Sequence, residues 1–599
     1  MSKSDLTALA AELEEYLGDP HDPDSRMPFA GVLEFDESGA YPVHYVNLLR
    51  RWGAHLRGLP AEQGGLAGNV ETGVNLMRLV ARRDPSTAVG TALNNLSFMP
   101  AWITGTEEQK RALIADMRRG SSMSWGLSER VHGSDLVANE VRAERVERGG
   151  WRLYGEKWPI GNATVADKMV VFARTGERPG PAAYSLFVVD KWLAEPGTIE
   201  DTPFENLYGV RALDLSGVRF DGTFVPDSAM LGRRGEGLEI ALKASQTARV
   251  VLMHLALAAV DTSLRLAMDF AESRVLLGDT VADVPYTRRQ LAEAFADLML
   301  ADAVFLGATR SLQAAPEQVS VWSSVVKYLV PTKLQRTLSQ LTVVLGARTF
   351  VRDHPHYGMH QKMVRDILIT DIADGNTVVN LRNLGHQLGS LLASAADPDP
   401  AAVAVAEERA ATLFGMDAEL PPYAPWKQEL FSRGGLDDAV LAAPDGIRRL
   451  RELAERAAGT DRERLLAAAD TAEELVGRAG ALHGRARELK ARLGRAYAQS
   501  PELFDLAKEY CLVHAAAAVV LSYVHSQGVL EAPLPNPALL LLQLERVRRE
   551  LYPHEAVTDQ SVVDDVMQVL RHLHREDRLF SLWQFPLAKR TSDSSAARI

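Results

Sequence analysis

The chain has 599 residues, 46% of them hydrophobic and 24% charged, with a net charge of −12. This is a globular composition with mass for three or four domains, and the acidic balance argues against a nucleic-acid binder, which carries a basic excess. A single cysteine, Cys511, excludes an intrachain disulfide and fits a reducing, cytoplasmic setting.

The opening stretch, MSKSDLTALAAELEEYLG, reads as a helix and not as a signal peptide. Leu6, Leu9, Leu13 and Leu17 recur at helical spacing, with Ser4 placed to cap and Gly18 to stop it. Residues 1–120 continue as an N-terminal helical domain. Within it Asp84-Pro85 opens a helix whose apolar face carries Val89, Leu93 and Leu96, and Thr106 caps another with Leu113 and Met117 inside.

After Gly120 the texture changes. Gly149-Gly150 between two short runs signals a hairpin. KMVVFART and YSLFVVD are β-type runs, and SGVRFDGTFVP stops at Pro226. Residues 121–232 are therefore expected to form a middle β-domain. Residues 237–278 read as one long buried helix, followed by helices over 286–313, 319–344 and 377–393, which together make a helical bundle domain over 233–393. SAADPDPAAV (394–403) has linker composition. Residues 394–599 read as an additional C-terminal helical domain, broken at Gly459, with a buried helix ending at Gly528 and a tail, KRTSDSSAARI, expected to be disordered. The fold class is thus α+β, mostly α. No apolar run approaches the roughly 18–20 residues of a membrane span, so no integral membrane segment is expected.

Two stretches carry residue types suited to chemistry. SWGLSERVHGSD (124–135), dense in Ser, Gly and Asp, is either a polar turn or a loop that brings backbone N–H groups to a ligand. Asp374-Gly375-Asn376-Thr377 precedes Val378, Leu381 and Leu384, so Asp374 is either a helix cap or a base.

Seven segments decide how these are to be read. GTEEQK (105–110), LSERVHGSD (127–135), LYGEKWPIGNA (153–163), the long run 208–241 ending in RRGEGLEIA, DFAESRVLLG (269–278), VLGARTF (344–350) and VRDILITDIADGNTVVN (364–380) stand in one order over roughly residues 40–392. In that order and spacing they resemble the motifs of the acyl-CoA dehydrogenase family of flavoproteins. The remaining C-terminal residues resemble the family's longer members in length and helicity.

The resemblance implies an acyl-CoA dehydrogenase-like fold, an FAD cofactor, and α,β-desaturation of an acyl thioester carried on CoA or an acyl-carrier protein. It also implies electron transfer to an electron-transfer flavoprotein, and a homo-oligomer, dimer or tetramer, in which the C-terminal helices could cover the core in place of a second dimer. Asp374 stands at the catalytic base, with Gly375 and Arg249 beside the substrate. Trp125, Leu127, Ser128, Ser134, Gly161, Gly346, Asn376 and Val378 stand at cofactor-lining positions, with Ser134 also serving substrate. Arg274 matches an arginine that reaches a neighbouring subunit's FAD, where its planar fork suits a pyrophosphate. An oxidase of the same fold using oxygen, acting on an acyl thioester or a nitroalkane-like acid, and a non-catalytic family member are the alternatives.

Several positions depart from the family pattern. Aspartate is one methylene shorter than the usual glutamate, and Ala248 before Arg249 offers no base at the family's second base position. A competing alignment to the oxidases would place Ala373 at the base and cost Gly375 its match. Pro159 and Gly161 replace an aromatic residue and a Thr or Ser; Tyr286 and Val344 replace Gln, and Ala347 replaces Gly. The histidine clusters at 354–360 and 571–577 lack a ligand set and read as structural or solvated, so no metal is expected. The Arg- and Lys-rich helices at 445–495 read as a solvated face or a docking surface for an acidic carrier or partner subunit.

Overall fold

The computed structural model describes residues 3–590 apart from 60, 62–63, 67–68, 148, 277 and 554–558. Eight helices come first: α1 Lys3–Leu17, α2 Phe29–Ser38, α3 Val43–Trp52, α4 Ala54–Arg57, α5 Val70–Ala81, α6 Pro85–Ser97, α7 Met99–Thr104 and α8 Glu107–Arg118. Local chemistry fixes several of their ends. Asp84 caps α6 by accepting from the N–H groups of Ser86 and Thr87, and Thr106 with Gln109 forms a full capping box on α8. Gly18, at φ 79°, closes α1, but Ser4 lies inside that helix instead of capping it.

A single sheet follows, built from β1 Met123–Gly126, β2 Arg142–Arg145, β3 Trp151–Gly161, β4 Lys168–Arg174, β5 Tyr184–Asp190, β6 Ile199–Asp201, β7 Leu215–Val225 and β8 Met230–Leu231. Its order is β6-β7-β3-β2-β4-β5-β8, with β1 paired in parallel to β4. Gly149 and Gly150, both at positive φ, turn the hairpin between β2 and β3.

The stretch 237–278 is not one helix. It divides into α9 Gly237–Val251 and α10 His254–Ser273. The cause is a side chain: His254 Nδ1 lies 2.6 Å from the Val251 carbonyl oxygen and occupies the acceptor at the break. A hydropathy pattern cannot register that. Taken together, Gly237–Ser273 is long and apolar enough to cross a membrane, but 94% of its most apolar window is buried inside the protein.

A two-residue hairpin, β9 Val275–Leu276 and β10 Asp279–Thr280, leads to α11 Pro285–Ala314, α12 Val319–Leu345, α13 Pro355–Asp366, α14 Ile369–Ile372 and α15 Thr377–Ala396. The expected linker at 394–403 shrinks to residues 397–399. Helix α15 runs through Ala396, and α16 Pro400–Phe414 starts at once on an Asp399 cap. Then come α17 Asp438–Arg456, α18 Gly459–Leu493, α19 Pro501–His525, α20 Pro537–Leu551 and α21 Gln560–Arg575.

These C-terminal helices pack on α11, α12 and α15 and share one continuous apolar core with them. Buried polar contacts also cross the join. Arg546 meets Asp297 at 2.6 Å, and the Ser581 hydroxyl donates to Asp302 at 2.8 Å. The tail expected to be disordered begins ordered: Arg590 pairs with Asp269 at 2.8 Å. Residues 591–599 lie outside the described residues.

Candidate active site

The loop between α14 and α15 is built from two successive left-handed residues, Asp374 at φ 55° and Gly375 at φ 92°. Asp tolerates that region better than most side chains, and Gly adopts it freely. Asn376 then caps α15, its Oδ1 accepting from the Val379 N–H at 2.9 Å. The cap is therefore Asn376, and Asp374 is released from that role.

Arg249, on α9, holds the loop in place. Its Nε donates to the Asp374 carbonyl oxygen at 2.8 Å. Its guanidinium also packs flat on Gly375, where a Cβ would stand 3.1 Å from Nη2. Arg249, expected beside the substrate, binds the loop backbone and is only 7% exposed.

The Asp374 carboxylate accepts no hydrogen bond from any described residue. The residue is half-buried, and the protein packed around its carboxylate raises its pKa above the usual aspartate value, against the pull of the Lys327 and Arg249 charges. Lys327, wholly buried on α12, donates to the Thr370 carbonyl just upstream of the loop. Burial brings its pKa down to about 8, opposed chiefly by the Asp374 charge. Lys327 was not singled out in the sequence; its signal was one lysine within the apolar run SSVVKYLV.

A second group gathers around the end of β1. A buried Lys157–Glu129 pair, 2.8 Å apart, pins the segment after Trp125, with Lys157 also donating to the Leu127 carbonyl at 3.1 Å. The Leu127 N–H donates to the Trp125 carbonyl at 3.1 Å, so both backbone groups of Leu127 are engaged. The Ser128 and Ser134 hydroxyls have no partner among the described residues. Gly161, at the end of β3, lies against α6: a Cβ there would stand 2.4 Å from Leu93 Cδ1. The next residue, Asn162, donates to the Gly90 carbonyl at 2.7 Å and fixes the hairpin on α6.

A third group is separate from these. Arg274 ends α10, and its guanidinium makes no hydrogen bond or ion pair with any described residue. Gly346, at φ 66°, ends α12, with nothing within 4 Å of where its Cβ would be. Val378 is 58% and Tyr286 60% exposed, whereas Val344 is buried. The histidines divide differently. His574 pairs with Asp269 at 3.0 Å, and His356 and His21 meet ring to ring. Among the described residues no group of three or more His, Cys, Asp or Glu side chains could hold a metal ion.

Between α5, α6 and α9 lies a small, partly open, mainly apolar pocket, walled by residues such as Val74, Met77, Leu96 and Val251. Two of these helices also carry site contacts: α9 holds Arg249, on the Asp374 loop, and α6 holds Leu93, on Gly161.

Comparison with known proteins follows the same chain order. The acyl-CoA dehydrogenase N-terminal domain matches residues 27–121, the middle domain 124–223 and the C-terminal domain 235–389. The human mitochondrial short-chain specific acyl-CoA dehydrogenase is 27% identical over 369 residues, 60% of this chain and 86% of the relative. Cyclohex-1-ene-1-carbonyl-CoA dehydrogenase of Geobacter metallireducens is 25% identical over 359 residues, 60% of this chain and 92% of its own. Among solved structures, butyryl-CoA dehydrogenase from Megasphaera elsdenii aligns with TM-score 0.58 at 23% identity, covering 64% of this chain and 97% of its own. An acyl-CoA dehydrogenase complexed with FAD from Bacillus anthracis aligns with TM-score 0.66 at 18% identity, over 99% of this chain and 93% of its own, C-terminal helices included.

Proposed function

The chain belongs to the acyl-CoA dehydrogenase family, and from that premise we propose that it dehydrogenates an acyl thioester between Cα and Cβ, with Asp374 as the base. The observation that carries this is the state of the Asp374 carboxylate. It is freed from capping by Asn376, accepts no hydrogen bond from any described residue, and is raised in proton affinity by partial desolvation on a half-buried residue. A carboxylate so placed is suited to take a weakly acidic proton.

The chain's own groups suit FAD at the family's positions. The half-exposed Arg274 guanidinium has no partner among the described residues. The Ser128 hydroxyl is free, and the Gly346 backbone is uncovered. Ser128 with Trp125 would hold the ring edge, Asn376 and Val378 the adjoining part of the cofactor, and Arg274 and Gly346 the phosphate region, across a subunit boundary. Gly161 departs from the family. It carries no hydroxyl, and Leu93 fills the space one would need. Bound there, FAD supplies the acceptor for the hydride leaving Cβ.

The Asp374 Oδ takes the α-proton. The Asp374 N–H, absent from the loop's backbone hydrogen bonds, donates to the thioester carbonyl as negative charge grows on it. Arg249 fixes the loop so that this donor and the carboxylate keep their relative position. Lys327 and Arg249 hold the carboxylate ionised against the cost of its burial. CoA or an acyl-carrier protein bears the thioester, an electron-transfer flavoprotein takes the electrons, and the protein works as a homo-oligomer.

Anaerobic titration of the purified holoprotein with a panel of acyl thioesters tests this reading. Bleaching of the visible flavin band is expected. A holoprotein that no thioester bleaches, or a colourless protein that cannot be reconstituted, refutes it. Hydrogen peroxide formed stoichiometrically in air would move the assignment to an oxidase of the same fold.

A further inference from the structure

The family's three domains end at residue 389, yet one wall of the apolar cavity comes from beyond them. From the last turn of α16 onward the chain returns across the core and is fastened at several points. Arg310 Nη1 donates to the Thr412 carbonyl at 2.8 Å, and Gln313 Nε2 to the Pro421 carbonyl at 2.6 Å. Further on, Gln428 Nε2 donates to the Thr247 hydroxyl at 2.9 Å, and Gln246 Nε2 to the Glu429 carbonyl at 3.1 Å. Two of these fastenings, Gln246 and Thr247, lie on α9 just before Arg249. Arg310 is itself locked by a buried pair with Glu71 of α5, 3.0 Å away.

Between the two pairs of fastenings Tyr423 turns inward. It is 6% exposed and lines the cavity together with Met99, Trp102 and Val251. Its hydroxyl lies 3.7 Å from Met99 Sδ, a weak acceptor. Burial raises the pKa of that hydroxyl further above neutrality, so it stays a neutral donor. The ring is thus a rigid stop, held at both sides by side chains of α9 and α11.

We propose that this apolar pocket, beside the helix that carries Arg249, receives the acyl chain, and that Tyr423 determines substrate specificity by closing it from the C-terminal region and so limiting the length of acyl chain admitted. This rests on the acyl-thioester reading above. Chains that end before the ring gain apolar contact with every carbon. Chains that would reach it meet a close-packed wall, which interiors do not relax to admit.

The test compares the wild-type holoprotein with Tyr423→Ala, Tyr423→Leu and Tyr423→Phe across straight-chain acyl-CoAs of increasing length, reading anaerobic flavin reduction. Wild type and Tyr423→Phe are expected to share one cut-off. Tyr423→Ala is expected to move it to longer chains, with roughly a four-fold gain in kcat/KM for each added methylene it accommodates. Tyr423→Leu keeps most of the packing, and a smaller shift in the same direction is expected from it should the alanine variant not fold. An unchanged length profile in the folded variants, with flavin still bleached by thioesters, overturns the proposal alone. Failure of every thioester to bleach the wild-type flavin overturns the dehydrogenase reading, and this proposal with it.

Discussion

Gly375→Ala puts the loop architecture under direct strain. Gly375 sits at φ 92°, and the added methyl would meet Arg249 Nη2 at 3.1 Å and Nε at 3.4 Å. The left-handed backbone costs a residue with a Cβ ~1–2 kcal/mol. Moving the guanidinium by a few tenths of an ångström weakens the 2.8 Å bond from Nε to the Asp374 carbonyl, of a type worth ~1.5–3 kcal/mol. The backbone term reads out as lower thermal stability. The second term releases the loop that carries the base, and a displacement of ~1 Å at a reacting group can cost ~100-fold in rate. Stopped-flow flavin reduction, with FAD content and Tm measured on the same preparation, separates the two. A variant with wild-type reduction rate and FAD content refutes the claim that the Arg249–Gly375 contact positions Asp374.

Three further outcomes follow from the geometry. Gly161→Ser alone overpacks against Leu93, with a methyl 2.4 Å from the added Cβ; a loss of ~1–3 kcal/mol in stability is expected, relieved in Leu93→Ala/Gly161→Ser, as Tm and FAD occupancy will report. Arg274→Met leaves the fold intact, since the Arg274 guanidinium has no partner within the described chain, but weakens FAD binding by ~10- to 100-fold through loss of a charged hydrogen bond; fluorescence titration of the apoprotein measures it. Asp374 must be ionised to act and its pKa is raised. The acid limb of kcat/KM is therefore expected above the usual aspartate range. By linkage, the same group favours the fold below its unfolded pKa and loses that contribution as pH rises through its folded pKa. Asp374→Asn is accordingly expected to raise Tm at neutral pH and to leave it unchanged in acid.

Features that depend on a few neighbouring residues were legible in the sequence. The Asp84 and Thr106 caps, the Gly149-Gly150 turn and the break at Gly459, where α18 begins, all act within one turn of chain. The base loop was legible as a choice between two roles, which Asn376 decides by taking the cap. What escaped depends on contacts across the chain. The break between α9 and α10 follows from where the His254 ring points. The linker shrank to residues 397–399 because Asp399 caps α16 soon after α15 ends. Leu93 against Gly161 and Tyr423 in the cavity wall are matters of volume between residues 68 and 172 positions or more apart or in separate domains, and neither leaves a local pattern.

Single-turnover flavin reduction by Asp374→Asn, under anaerobic conditions with a thioester that bleaches the wild type, bears most directly on the proposed chemistry. FAD is expected to remain bound, with reduction slowed by at least ~100-fold, the usual worth of a positioned base. Reduction at the wild-type rate would take Asp374 out of the reaction and contradict the account.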